Sequence, residues 1–241
     1  MITKNEIKRI KSLQNKKDRK ELQLFVAEGE KTVHDLLKSG WVADCIYATQ
    51  PFAYVEEKRI SSKEMERISS LKSPSSVLGV FRIPTLQPFS QEGRILALDG
   101  VTDPGNLGTI IRLCDWFGIA TLVCSLDTVD CYNPKVVQAS MGSISRVNIT
   151  YLDLQKTLEN NSLKTYGTYM QGDSIFEIDE IKNGVILFGN EANGINPNLS
   201  KVIDKRLSIP RFGKLKKTES LNVANALSIV LSENSRKSTE K

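Results

Sequence analysis

Histidine is nearly missing from this chain of 241 residues: His34 is the only one. It falls on an ordinary helical pattern, where a surface or capping role is expected, which argues against a Ser-His-Asp machine. The chain also lacks a GxxxxGK[ST] phosphate loop, the GxGxxG spacing of a dinucleotide fold and a GxSxG nucleophile elbow. Its four cysteines, Cys45, Cys114, Cys124 and Cys131, lie in apolar or strand-like settings with no CxxC pair. Neither a zinc site nor a disulfide framework is expected from them, so no metal is assigned. No apolar run reaches the roughly 18 residues of a membrane span, and no membrane partner is expected. The opening MITKNEIKRIKSLQNKK has no apolar core of a secretory signal. A cytoplasmic location is the default.

What is present is charge, unevenly spread. The net charge of +5 is modest. Residues 1–20 hold eight Lys/Arg against two acids, and residues 201–217 hold seven against one, so the remainder is net acidic. Two basic patches on an otherwise acidic chain point to a polyanion. Lys8, Arg9, Lys11 and Arg19 in the first, and Lys214, Lys216 and Lys217 in the second, are the expected contacts to it. A solubilising tail and a solvated loop would have the same composition.

Hydrophobic periodicity divides the chain in two. Residues 4–15 read as a basic amphipathic helix with Ile7, Ile10 and Leu13 on one face. Strand-like runs at 24–27, 42–48 and 77–83, with helical runs at 28–38 and 63–70, make a small α/β unit over 1–83. PTLQPFSQEG, 84–93, has the composition of a linker. Over 94–241, short apolar strands (95–99, 121–125, 146–150, 165–169, 185–188, 207–209) alternate with helical patterns. That order predicts an α/β fold with a parallel sheet covered on both faces, and ligand sites at the carboxyl ends of strands. A helix apolar almost all round is expected from Leu221 to Leu231, hence buried. Thr218 or Ser220 would cap it, and Asn222 and Asn225 would share one stripe. The last ten residues read as a frayed tail.

Three loops carry chemistry-bearing residues. In LDGVTDPGNLGTIIRLCDWFGI, 98–119, a strand ends at Asp99, Asn106 is placed as an N-cap and Gly118 lies past the helix end. Arg112 in the second turn runs against the helix dipole. It is either a surface salt bridge, to Asp115 or Glu219, or a phosphate clamp, which suits the planar guanidinium. In VILFGNEANGI, 185–195, a buried strand runs into glycines that permit close backbone approach, and Glu191 is the one charge. In IPRFG…TESLNV, small polar groups stand at a helix start, with Ser220 and Asn222 favoured as site residues.

Taken together and in this order, DGVTDPGNLGTIIR (99–112), LFGNEANGI (187–195), and IPRFG with ESLNVANA (209–226) resemble the three motifs of the SpoU (TrmH-like) branch of the SPOUT RNA methyltransferases. FVAEGEKTVHDLL, 25–37, resembles that family's small L30e-like RNA substrate-binding domain. The resemblance implies a C-terminal methyltransferase domain with a deep trefoil knot and a homodimer. It implies S-adenosylmethionine as cofactor, held by Gly189, Asn190, Gly194, Ile209 and Leu221. It also implies methyl transfer to a ribose 2′-hydroxyl of RNA, ribosomal RNA ahead of transfer RNA, with Asn106, Arg112, Glu191, Ser220 and Asn222 in catalysis or substrate handling. Two departures stand out. Ala192 replaces the second glycine of a GNEG pattern and requires a negative φ. The LKKT region adds residues to the third motif. A non-catalytic RNA-binding or ribosome-assembly factor and a base methyltransferase are the alternatives. Cofactor binding separates the first from an enzyme, and the product nucleoside separates the second.

Overall fold

The computed structural model describes residues 1–52, 56–85, 91–160, 162–215, 217 and 220–239. In chain order the elements are α1 (Lys4–Ser12), α2 (Lys16–Leu22), β1 (Leu24–Glu28), α3 (Glu30–Lys38), β2 (Ala43–Ala48), β3 (Lys58–Arg59), α4 (Ser62–Ile68) and β4 (Val77–Arg82). There follow β5 (Arg94–Leu98), α5 (Pro104–Trp116), β6 (Thr121–Ser125), α6 (Pro134–Ser140), β7 (Asn148–Leu152), α7 (Leu154–Glu159), β8 (Thr165–Ser174), β9 (Gly184–Phe188), β10 (Lys205–Ser208) and α8 (Val223–Thr239). They form two compact units: Met1–Thr85 with Asp130–Arg146, and Leu86–Val129 with Val147–Lys241.

The first unit is a four-stranded sheet in the order β1-β4-β2-β3. Thr3 and Glu6 close a capping box at the start of α1, a device that fixes a helix start. Ile7, Ile10 and Leu13 then pack with Leu24, Val26 and Val80, as the amphipathic pattern predicts. The single helix expected over 4–15 is instead two helices. The chain turns after Ser12 and restarts at Lys16, and Arg19 Nη1 donates to the carbonyls of Leu13 and Gln14 within that turn, at 2.8 and 2.9 Å. β1 is buried along its whole length. Its second face is covered partly by a segment far along the chain: Tyr132 lies 5.0 Å from the Phe25 ring, and α6 packs on β1. That explains why Asp130–Arg146 belongs to this unit, although nothing local in its sequence indicates it.

The second unit carries a six-stranded sheet, β10-β8-β9-β5-β6-β7, parallel throughout. β5, β6 and β9 read as short continuous apolar runs because both faces are buried. β10 continues β8 irregularly: Arg206 pairs with Gly167, but Leu207 pairs with Asp173, so residues 168–172 leave the ladder. The expected frayed tail is a correction. α8 runs to Thr239, and Asn234, 5% exposed, exchanges hydrogen bonds with the backbone of Ile181. Lys237 Nζ donates to the carbonyls of Ile175 and Ile178. Polar residues hold this end of the helix down, which composition cannot reveal.

Candidate functional site

The carboxyl ends of β5, β9 and β10 lead into the three loops singled out in the sequence. α5 begins at Pro104, and its cap is Asp103, whose side chain accepts from the Asn106 N–H at 2.8 Å. Asn106, expected from sequence to be the cap, is instead a first-turn residue whose amide is not used in capping. Gly118 does follow the helix end with φ of 68°. The cap of α8 is also displaced from expectation. Asn222 Oδ1 accepts from the N–H groups of Ala224 and Asn225 at 3.0 and 3.2 Å. Asn222 and Asn225 are exposed rather than buried, and Ala226 and Ile229 are only half-buried, so the helix is not apolar all round. Ser220 is exposed and does not cap it; Thr218 lies outside the described residues.

Capping fixes which way the Asn222 amide points. With Oδ1 engaged by backbone donors, Nδ2 faces outward and donates to Asn106 Oδ1 at 2.8 Å. Asn106 must then turn its Nδ2 the other way, and it donates to Glu191 Oε1 at 2.8 Å. One residue from each loop is thus joined in a single hydrogen-bonded row, Asn222–Asn106–Glu191.

A second set of bonds holds the middle loop. Asn190 and Gly194 exchange backbone hydrogen bonds at 2.9 Å. Asn190 Oδ1 accepts from the N–H groups of Ala192 and Asn193, and Nδ2 donates to the Gly100 carbonyl at 2.6 Å. A side chain at Gly189 would overlap the backbone of Gly194 and Ile195, so this glycine is needed for close approach. Ala192 is not among the positive-φ residues, so its methyl group is accommodated. Asp99 accepts from the Asn196 N–H at 2.6 Å, and its burial raises its pKa.

A cavity of about 970 Å³ opens among the 189–195 loop, the loop after β10 and the start of α8, within the range of about 300–1,000 Å³ typical of small-molecule sites. Gly189, Asn190, Gly194, Ile209 and Leu221 all line it, as do Glu191 and Ser220. Sequence reasoning missed Thr168, Tyr169 and Met170, which line it from the looped-out stretch of β8; the carboxyl-end rule for parallel strands was the available signal. The Arg206 guanidinium stacks 4.8 Å over the Tyr169 ring. The walls combine apolar side chains such as Leu207, Val223 and Val230 with the peptide-rich 189–195 loop. That division fits a ligand with a flat nucleoside and a charged amino-acid end.

Arg112 lies elsewhere. It is exposed and lines a groove of about 760 Å³ with Trp116, Phe176 and Ile229, not the cavity. It makes no ion pair with a described acid, and Glu219 lies outside the described residues. Among the basic candidates, Lys8, Lys11, Lys214 and Lys217 are exposed, Arg9 pairs with Asp44 at 2.6 Å, and Lys216 lies outside the described residues. Arg19 is a correction. It is 2% exposed and its guanidinium pairs with Asp130 at 2.6 Å, so it is structural and not presented to RNA. Among the described residues no His/Cys/Asp/Glu group is arranged to hold a metal, and no helix is long and apolar enough to cross a membrane.

Comparison with known proteins agrees with this geometry. Residues 93–232 match the SpoU rRNA Methylase family, and residues 4–79 match the MRM3-like substrate binding domain. The chain is 28% identical over 237 residues to the 23S rRNA (guanosine(2553)-2′-O)-methyltransferase RlmP of Bacillus subtilis, covering 94% of each. It superposes with TM-score 0.88 and 34% identity on a structure described as a putative RNA methyltransferase of the TrmH family from Porphyromonas gingivalis, over 98% of this chain and 99% of that one. An AdoMet-bound rRNA methyltransferase from Sinorhizobium meliloti matches with TM-score 0.86 and 29% identity, over 98% and 96%.

Proposed function

Because the chain belongs to the SpoU rRNA methylase family, we propose that it transfers a methyl group from S-adenosylmethionine to a ribose 2′-hydroxyl of RNA, with ribosomal RNA as the substrate. The observation that carries this reading is the Asn222–Asn106–Glu191 row beside a cavity lined by all five expected cofactor residues. A non-catalytic RNA-binding factor would have no need of that row.

The cofactor, when bound, supplies a methyl group already activated on a sulfonium, so the chain itself has to position a ribose and manage one proton. Glu191 Oε1 is held by Asn106, which leaves its other oxygen to orient a hydroxyl. Asn106 is held in turn by Asn222, so all three side chains are set before substrate arrives. His34, the one histidine, belongs to the first unit. Arg112 fills the remaining need as a clamp on a substrate phosphate, which then helps take up the hydroxyl proton.

Homodimerisation gives Arg112 its place. Trp116 is 84% exposed beside it in the groove between α5 and α8, and an exposed tryptophan on an apolar groove is a surface for a second copy. Arg112 then acts where the dimer carries it to a reacting centre. The C-terminal trefoil knot is part of the same reading, supported by the 189–195 loop and residues 209–215 meeting at one cavity. The first unit serves as the RNA substrate-binding domain, supported by its family match, and the protein works in the cytoplasm.

The test combines cofactor calorimetry with the product nucleoside. Binding of S-adenosylmethionine and a 2′-O-methyl nucleoside from ribosomal RNA are expected. Methylation confined to transfer RNA would replace the substrate, a methylated base would replace the reaction, and no cofactor binding would overturn both. Full activity in Arg112→Lys would remove the clamp.

A further inference from the structure

We propose that Phe212 is a stacking platform for a nucleobase next to the methylated nucleotide; this deepens the RNA methyltransferase reading and rests on it. Phe212 is 83% exposed, so a ligand that covered its ring would take apolar surface out of water. It lies in the loop after β10, lines the rim of the 970 Å³ cavity, and is not part of the protein core. Phe176 backs it, with ring centroids 6.2 Å apart and planes tilted by 45°. The ring is thus supported on one side and open to solvent on the other.

Charge identifies the occupant. The stretch IPRFGKLKK, 209–217, holds four Lys/Arg and no acid. Lys214 and Lys217 are exposed and, like Phe212, line the cavity mouth. A bare aromatic ring set among cations is how sequence-tolerant single-strand binders hold bases, with the cations on the phosphates and the π-face under the base. A second protein copy would bring its own apolar surface and would have no use for the cations. Because stacking accepts any base, the platform secures the strand and splays a neighbour aside, leaving the choice of nucleotide to other contacts.

The experiment uses the full chain and two labelled RNA 12-mers of equal charge, oligo(A) and an abasic ribose-phosphate strand, read by fluorescence anisotropy at fixed salt. Wild type should bind oligo(A) more tightly. Phe212→Ala should weaken oligo(A) binding by roughly 5- to 150-fold, the range for one lost base stack, and leave abasic binding unchanged. Phe212→Trp should restore the preference, which excludes misfolding of the alanine variant as the cause. A wild type that binds both strands equally, or an alanine variant that keeps the preference or loses both strands equally, overturns the platform. So does a change of oligomeric state in Phe212→Ala by sedimentation, which would assign the ring to a contact between copies. Wild type that prefers oligo(A) yet methylates no RNA would keep the platform and overturn the reaction; methylation without the preference would do the reverse.

Discussion

The first basic segment and the loop end of the second are built in opposite ways. In residues 1–20, Arg19 is buried against Asp130, Arg9 pairs with Asp44, and Lys58 reaches back to Glu6. In residues 209–217, the described lysines are exposed, and Phe212 and Leu215 are exposed beside them. The first segment spends part of its charge on holding its own unit together. The second presents its charge at a cavity mouth. A count of lysines and arginines does not distinguish the two, because burial depends on partners such as Asp130, more than a hundred residues away.

The largest effect should come from breaking the first segment. Arg19→Ala leaves Asp130 without its guanidinium and the carbonyls of Leu13 and Gln14 without their donor. Loss of about 3–5 kcal/mol is expected for a broken buried pair, measured by urea denaturation. Any fall in RNA affinity should follow unfolding alone. An unchanged midpoint with weakened RNA binding would return Arg19 to the RNA surface.

In the second unit, Asn106→Ala cuts the row between Asn222 and Glu191. Methyl transfer should fall about 100-fold, or about 2.7 kcal/mol, with little change in stability because Asp103 caps the helix. Asn222→Ala removes a cap as well as a link in the row, and should cost about 0.5–2 kcal/mol of stability in addition to activity. If both variants lost the same stability, the capping distinction would fail.

Lys214→Gln and Lys217→Gln should each flatten the salt dependence of RNA binding by about 0.7 in log–log slope if they contact single-stranded phosphates, with no change in melting temperature. Acid separates the segments last and least. Lys58 and the Thr3 N–H hold the Glu6 carboxyl down to about 2 from 4.5. Its stabilising contribution is complete above about pH 4.5 and disappears as pH falls toward 2. Glu6→Gln should remove that part of the acid sensitivity from the first unit, as followed by thermal melts between pH 2 and 5.

Much of this architecture was readable from periodicity. β5, β6 and β9 are short apolar runs bounded by turn residues and separated by helical patterns, so their existence and parallel direction followed from pattern, but their order in the sheet did not. The looped-out 168–172 stretch of β8 was not readable, because a strand that leaves its ladder keeps a strand-like sequence. The last turns of α8 looked like a tail because Asn234 and Lys237 find their partners at 175–181, far back in the chain. At the candidate site, the resemblance to the family's motifs singled out Asn106, Glu191 and Asn222. Their mutual bonds depend on Asn222 acting as the cap of α8, and local signals favoured Ser220 or Thr218 instead. The position of Arg112 in a separate groove follows from which face of α5 meets α8, which a single helix does not specify.

The most direct measurement is methyl transfer from labelled S-adenosylmethionine to unmodified total RNA, with wild type and Asn106→Ala in parallel, followed by size fractionation and digestion to nucleosides. A labelled 2′-O-methyl nucleoside from the ribosomal fraction is expected with wild type, and a signal near background with the variant. Equal labelling by both proteins, or label in a base, would contradict it.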